Sequence, residues 1–324
     1  MISLWYPAKH ARHYPIAPLL TPGAAAQFKS DYGLPQDAVV LPASHGHEGA
    51  PVDRGDDDRL PVVLYSHGFN GLRSFNTLVV EELASRGYLV VTIDHTHEAA
   101  EVEFPDGRVE VNATGPGDDH VYAASVDVRV ADVQFVLDQL EVIARGGNPD
   151  VERRALPAGL RHAFDLRKIG MFGHSLGGAT TSSAMFADSR IKAGLSLDGG
   201  VFGPVIDAGL DRPFMRVSSP RGHRSLQPRV ASFWSHLSGW RRDLYIPSAG
   251  HLTFGDFQLY YSPLLPLLNP SDEDIESDVG SIEAERVVAI QRAYPRAFFD
   301  LHLRHRGHLL DAPSPAYPEV LFVP

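Results

Sequence analysis

The 324-residue chain contains no cysteine, which excludes disulfides, thiolate metal sites and a cysteine nucleophile. No run approaches the roughly 18 apolar residues that a membrane-spanning helix needs. The opening MISLWYPAKHARHYP lacks the apolar stretch of a secretory leader. Read as written, the chain is cytoplasmic. A strand at Ile2–Tyr6, however, begins almost at the first residue, and a leader removed upstream would make the protein a secreted one. Basic charge is scarce beside acidic: the formal net charge is −11. The arginines are scattered with no basic block, which argues against nucleic acid or an anionic membrane surface as a partner. The composition says nothing of oligomeric state.

Apolar residues make up 44% of the chain and charged ones 21%, ample for a large core. The length suits one domain with additions: an irregular wrap over residues 1–60, a core over 61–262 and a helical C-terminal extension over 263–324. Residues 7–60 are rich in Pro, Gly, His and Asp and show neither helical nor strand periodicity. Beyond them the pattern changes. Short apolar runs at Val62–Ser66, Leu89–Asp94, Lys168–Gly173, Ala193–Asp198, Phe214–Ser218 and Leu244–Pro247 are separated by segments of helical length. The expected helices are Ser74–Arg86 with Ser74 as N-cap, His120–Ala144, Ser175–Ala187, Leu226–Trp240 and Ile282–Arg304. Val102–Val111, with Pro105-Asp106-Gly107 at its centre, reads as a hairpin. Apolar strands alternating with helices predict an α/β protein whose mostly parallel central sheet has helices on both faces.

Gly173-His174-Ser175-Leu176-Gly177 follows one such strand directly and precedes a small-residue helix. That context makes G-x-S-x-G a nucleophile elbow, in which glycines flank a serine held in a strained turn, and it predicts an α/β-hydrolase fold. Ser175 is the candidate nucleophile, with the amide of Leu176 beside it for a developing oxyanion. His67-Gly68-Phe69, just beyond the strand Val62–Ser66, offers the amide of Phe69 as the second oxyanion donor.

A nucleophilic serine needs a histidine, and that histidine a carboxylate, in the chain order Ser, Asp or Glu, His. No Asp or Glu lies between Arg212 and Arg242, so the position after the strand Phe214–Ser218 is empty. Asp198 closes the preceding strand and is followed by Gly199-Gly200, which puts it at the carboxyl rim of the sheet, where sites form. It is the expected acid, with Asp207 and Asp211 as rivals. Among His223, His236, His251, His302, His305 and His308, only His251 follows an apolar strand directly, and it is the expected base. His95-Thr-His-Glu98 could offer ligands to zinc. No third ligand is signposted and a serine mechanism needs none, so no metal or cofactor is expected. His95, Phe202, Trp234 and Trp240 are candidate walls of the substrate pocket, beside Phe69.

The set Ser66-His-Gly-Phe-Asn-Gly-Leu-Arg, Gly173-His-Ser-Leu-Gly-Gly-Ala, Leu197-Asp-Gly and His251-Leu-Thr-Phe-Gly-Asp-Phe resembles the plasma-type platelet-activating-factor acetylhydrolases over roughly residues 60 to 260. The resemblance implies calcium-independent hydrolysis of short or oxidised acyl chains from the sn-2 position of phospholipids, and of simple esters. Ser175, Asp198, His251, Leu176 and Phe69 fall on the family's functional positions. Leu176 stands where the animal enzymes carry an aromatic residue, and no amphipathic segment resembles their lipid-docking surface. The expectation is a serine carboxylic-ester hydrolase acting on a small-molecule or lipid ester. The alternatives are a broad lipase or polyester hydrolase and, from another class, a catalytically silent binding protein on the same fold.

Overall fold

The segments that the apolar runs mark as strands lie side by side in one eight-stranded sheet. A computed structural model describes residues 1–37, 40–256 and 278–324 of the chain. In chain order its elements are β1 (Ile2–Trp5), β2 (Ile16–Pro18), α1 (Pro22–Asp31), β3 (Ala43–His47), β4 (Leu60–Ser66), α2 (Thr77–Ser85) and β5 (Leu89–Ile93). The hairpin β6 (Glu101–Glu103) and β7 (Val109–Val111) follows, then α3 (Asp119–Ala144), β8 (Phe164–His174), α4 (Leu176–Ala187) and β9 (Ile191–Leu197). The last are α5 (Val205–Ala208), β10 (Phe214–Ser218), α6 (Pro228–His236), β11 (Arg241–Tyr245), α7 (Ala284–Arg304) and β12 (Leu321–Val323).

The strand order is β1-β5-β4-β8-β9-β10-β11-β12. Strands β5, β4, β8, β9, β10 and β11 run parallel, and β1 and β12 close the two edges antiparallel. Every residue of β4 is buried, as a strand covered on both faces requires. Val62 and Leu64 join a cluster with α3, α4, α5 and α6 on one face. Val63 and Tyr65 point the other way, into a cluster with α2 and α7, following the two-residue period of a strand. The mostly parallel sheet with helices on both faces is as the residue pattern predicts.

Several boundaries move. The segment read as an irregular wrap contains α1 and the paired strands β2 and β3. Helix α1 buries only Ala24 and Phe28, and its first amides, at Gly23 and Ala24, donate to the distant Glu103 carboxylate at 2.7 and 3.2 Å. Neither signal exists in local periodicity. Helix α2 begins at Thr77, without the Ser74 cap. Its amides at Thr77 and Leu78 donate to the Asp256 carboxylate, 178 residues or more away in sequence. Helix α6 is shorter than expected. It starts at Pro228, which suits a first helical position, and ends before Ser238 and Gly239 turn their amides to the Leu210 carbonyl. Strand β11 begins earlier, on Arg241-Arg242-Asp243, where the buried ion pair Asp243–Arg216 at 3.3 Å hides charge inside the sheet. In the region expected as a helical extension, α7 is joined by the edge strand β12. His251 opens a short 3-10 turn over His251–Phe254.

Candidate active site

Strand β8 delivers Ser175 to the carboxyl rim of the sheet, and α4 begins on the next residue. Ser175 holds φ 55° and ψ −118°, a region rarely occupied by residues with side chains. The close approach depends on glycine. A Cβ at Gly177 would lie 1.9 Å from the Ser66 carbonyl oxygen of β4, and one at Gly173 2.2 Å from the backbone of Gly177. Without side chains there, α4 packs directly on the sheet and presses the serine outward.

Three distant residues meet at that point. The Ser175 hydroxyl lies 2.9 Å from His251 Nε2, and His251 Nδ1 donates to Asp198 Oδ2 at 2.7 Å. The Asp198 side chain is 1% exposed, whereas His251 keeps 31%. Asp198 also accepts from the Ser219 amide at 2.7 Å and the Ser219 hydroxyl at 2.8 Å. Burial is the largest influence on this carboxyl and would raise its pKa. The hydrogen bond and charge of His251, with the two Ser219 donors, together outweigh it, so the group is held below its ordinary range. A carboxylate so placed keeps the proton on His251 Nδ1 and leaves Nε2 free to accept from serine. The His251 turn is tied down from two sides. His174 Nε2 donates to the His251 carbonyl at 2.9 Å, and Gln291 of α7 donates to the carbonyls of Thr253 and Gly255. Burial, followed by the nearby His251, lowers the pKa of His174 to about 3, so it stays neutral beside the His251 ring.

Beside Ser175 lies a cavity of about 480 Å³. Phe69, Tyr122 and Phe202 form its aromatic wall, with Phe69–Tyr122 edge-to-face at 5.1 Å and Tyr122–Phe202 at 6.2 Å. Leu176, Val201 and Val230 add apolar surface. At the mouth, Arg229 lies over the Phe202 ring and pairs with Asp119 at 2.9 Å. Among the described residues no hydrogen bond uses the amide of Leu176 or of Phe69, so both are available to a ligand.

Of the residues expected to line the pocket, Phe69 and Phe202 do so. The other three lie elsewhere. His95 is buried, with Nε2 2.9 Å from the Ser66 hydroxyl and Nδ1 2.8 Å from Asp132. Trp234 faces the core of α6, under the guanidinium groups of Arg224 and Arg241. Trp240 packs on His302 and Phe298 of α7, on the opposite face of the sheet. An aromatic residue in an amphipathic stretch carries no local sign of which surface it will cover. Tyr122, which the sequence reading missed, stands in register with Val126 on the inward face of α3. A larger cavity of about 710 Å³ lies under the N-terminal segments and contains none of the three meeting residues. Among the described residues no helix is long and apolar enough to cross a membrane, and no group of three or more His, Asp or Glu is placed to hold a metal.

Over its full length the chain is similar to the solved ferulic acid esterase of Streptomyces cinnamoneus, at 36% identity and a TM-score of 0.84, covering 88% of that chain. Fold, elbow and this likeness define the class: an α/β-hydrolase-fold esterase, a hydrolase of carboxylic esters. The family described as platelet-activating factor acetylhydrolase, isoform II, matches residues 38–215. The probable 1-alkyl-2-acetylglycerophosphocholine esterase of Arthroderma benhamiae is 30% identical, covering 98% of this chain and 83% of its own. The platelet-activating factor acetylhydrolase of Canis lupus familiaris is 25% identical over 75% of this chain and 57% of its own. The chain belongs to the platelet-activating factor acetylhydrolase, isoform II family.

Proposed function

We propose that the protein cleaves short-acyl esters through an acyl-enzyme, with Ser175 as nucleophile, His251 as general base and then acid, and Asp198 as its orienting carboxylate. The observation that carries this is the continuous relay, 2.9 Å and 2.7 Å, from an outward-pressed serine to a buried carboxylate. As Ser175 Oγ bonds to the ester carbonyl carbon, its proton passes to His251 Nε2 and the carbonyl oxygen becomes an oxyanion facing the amides of Leu176 and Phe69. The tetrahedral species collapses, His251 gives its proton to the departing alkoxide, and an acyl-serine remains. Water then attacks, its proton goes to His251, and the carboxylic acid leaves as Ser175 regains its proton. A single oxyanion donor is worth about 10²–10³ in kcat.

The names of the relatives support an acetylated glycerophosphocholine as substrate, and the apolar cavity beside Ser175 accommodates a small acyl group. One specific observation favours a second reading. The three-ring wall of Phe69, Tyr122 and Phe202 would stack on the ring of an aromatic acid, in keeping with the ferulic acid esterase that matches the whole chain.

The test is turnover of 4-nitrophenyl esters with acyl chains of two to twelve carbons, and of methyl hydroxycinnamates, without added metal, for wild type and Ser175→Ala. Activity abolished by Ser175→Ala and highest with two to four carbons is the expected result. A larger kcat/KM for the hydroxycinnamates would replace it with the aromatic-acid reading, and an optimum at eight to twelve carbons with a lipase. No turnover from folded wild type would overturn the enzymatic mechanism altogether.

A further inference from the structure

Helix α3 carries an arginine in its apolar stripe. Val126, Val133, Val136, Leu137 and Leu140 are buried on the inward face, and Arg129 lies among them, its side chain 1% exposed. A guanidinium is enclosed in this way only when every donor is used and its charge is matched. Glu98 supplies the charge, accepting from Arg129 Nε at 2.6 Å. Nη2 pairs with the same carboxylate, and the two terminal nitrogens also reach one short segment, residues 66–68: the Ser66 hydroxyl at 3.2 Å, the His67 carbonyl, and the Gly68 carbonyl at 3.1 Å. The other oxygen of Glu98 accepts from the Asn70 amide at 3.0 Å. The ion pair thus grips the chain on both sides of Phe69 and leaves the Phe69 amide unused.

The Gly68 carbonyl is the decisive atom. It receives three donors: Arg129, the Gly71 amide at 3.1 Å and the His67 ring at 2.6 Å. It also belongs to the same peptide group as the Phe69 N–H. That group is planar and trans, so its N–H points opposite to its C=O. Holding the Gly68 oxygen toward α3 therefore aims the Phe69 N–H away from α3. The segment passes close to the nucleophile: a Cβ at Gly68 would lie 3.4 Å from Ser175 Cβ.

We infer that the buried Arg129–Glu98 pair is a positioning device for ester hydrolysis, setting the orientation of the Phe69 amide by clamping the Gly68–Phe69 peptide. This rests on the proposed role of Phe69 as an oxyanion donor. The arginine fork can engage two carbonyls and a carboxylate at once, which a lysine ammonium cannot do in the same geometry.

Two variants test it. Arg129→Lys keeps the charge beside Glu98 and loses the fork. The double variant Arg129→Met with Glu98→Gln removes both charges together, so that neither is left buried alone. Each is measured for kcat and KM on 4-nitrophenyl acetate and for inhibition by a trifluoromethyl ketone. Ser175 Oγ adds to the carbonyl of that ketone, the serine proton passes to His251, and the former carbonyl oxygen becomes the oxyanion. A misaimed donor predicts a fall in kcat of about 100-fold with KM unchanged, and a parallel loss of ketone affinity. Folded variants that keep wild-type kcat would overturn the inference. So would a loss confined to KM, or lost turnover with ketone affinity intact. If wild type itself shows no Ser175-dependent turnover and no ketone inhibition, the failure belongs to the proposed mechanism and not to the clamp.

Discussion

Asp198 shows how much one side chain here depends on its surroundings. It adopts a positive φ of 49°, accepts three hydrogen bonds, and is so closely packed that a Cβ on Gly222 would sit 2.0 Å from its Oδ1. Replacing it by Asn keeps the shape but presents an amide in place of the carboxylate that holds the proton on His251 Nδ1. Asp198→Asn should fold, and kcat should fall by about 10⁴ with KM little changed. Steady-state kinetics with circular dichroism to check folding would decide this, and an Asn variant with wild-type kcat would assign the acid elsewhere. At this scale the sequence was informative wherever chemistry restricts residue type. Ser175 was visible from its flanking glycines, and Asp198 from the lack of any other carboxylate near the next strand end. Ser219 carried no such mark, since any residue can donate an amide and serine is common in loops.

At the scale of elements, the site is a product of how closely α4 approaches β4 and β8. Gly177→Ala would drive a methyl group into the Ser66 carbonyl. Either the helix must retreat or the elbow must distort, at a cost of about 1–3 kcal/mol for overpacking. Because Ser66 begins the segment that carries Phe69, the damage should reach both halves of the oxyanion site. A lower melting temperature together with a substoichiometric burst of 4-nitrophenol in active-site titration is expected. Wild-type values for both would show that α4 has room the geometry denies. Strand positions were legible because burial on both faces demands nearly continuous apolar sequence. Helix starts were legible for α3 and α4, which begin within one residue of the expected positions, and not for α1 and α2. Both α1 and α2 have their first amides satisfied by carboxylates from remote segments, Glu103 and Asp256, in place of a capping residue of their own.

Across the whole molecule, buried histidines cost stability in acid. His67 and His95 are held well below the ordinary imidazole pKa, first by burial and then by the Arg129 charge. Burial likewise lowers His174 to about 3 and His302 to about 4. A histidine whose folded pKa is depressed binds its proton more readily in the unfolded chain. Stability is therefore full above about pH 6.5 and declines as pH falls through the window down to the folded values. For His174 alone the loss at pH 5 is about 2 kcal/mol. Four carboxyls raised by burial work in the opposite direction, Glu101 and Asp256 to about 8 and Asp132 and Asp243 above their ordinary value. His174→Phe removes one histidine from that balance, so its melting temperature should fall by several degrees less, or rise by several degrees more, than that of wild type from pH 7 to pH 5. Equal changes in the two proteins would mean that His174 admits its proton without unfolding.

The sequence by itself determined the parallel sheet, the elbow and the three residues that meet there, because apolar runs, glycines and a chain order of Ser, Asp and His are constraints written locally. Which aromatic residues line the cavity was decided only by the tertiary structure. Phe69, Tyr122 and Phe202 converge beside Ser175, while Trp234 and Trp240 turn to opposite faces of the sheet. The enclosure of Arg129 and Glu98 around the Gly68 carbonyl was decided there as well. Its local trace was a single charge in the apolar stripe of α3, and the partners that make the charge tolerable come from segments about 30 and 60 residues earlier in the chain. Periodicity records which face of an element is buried, and only the assembled fold records what it is buried against.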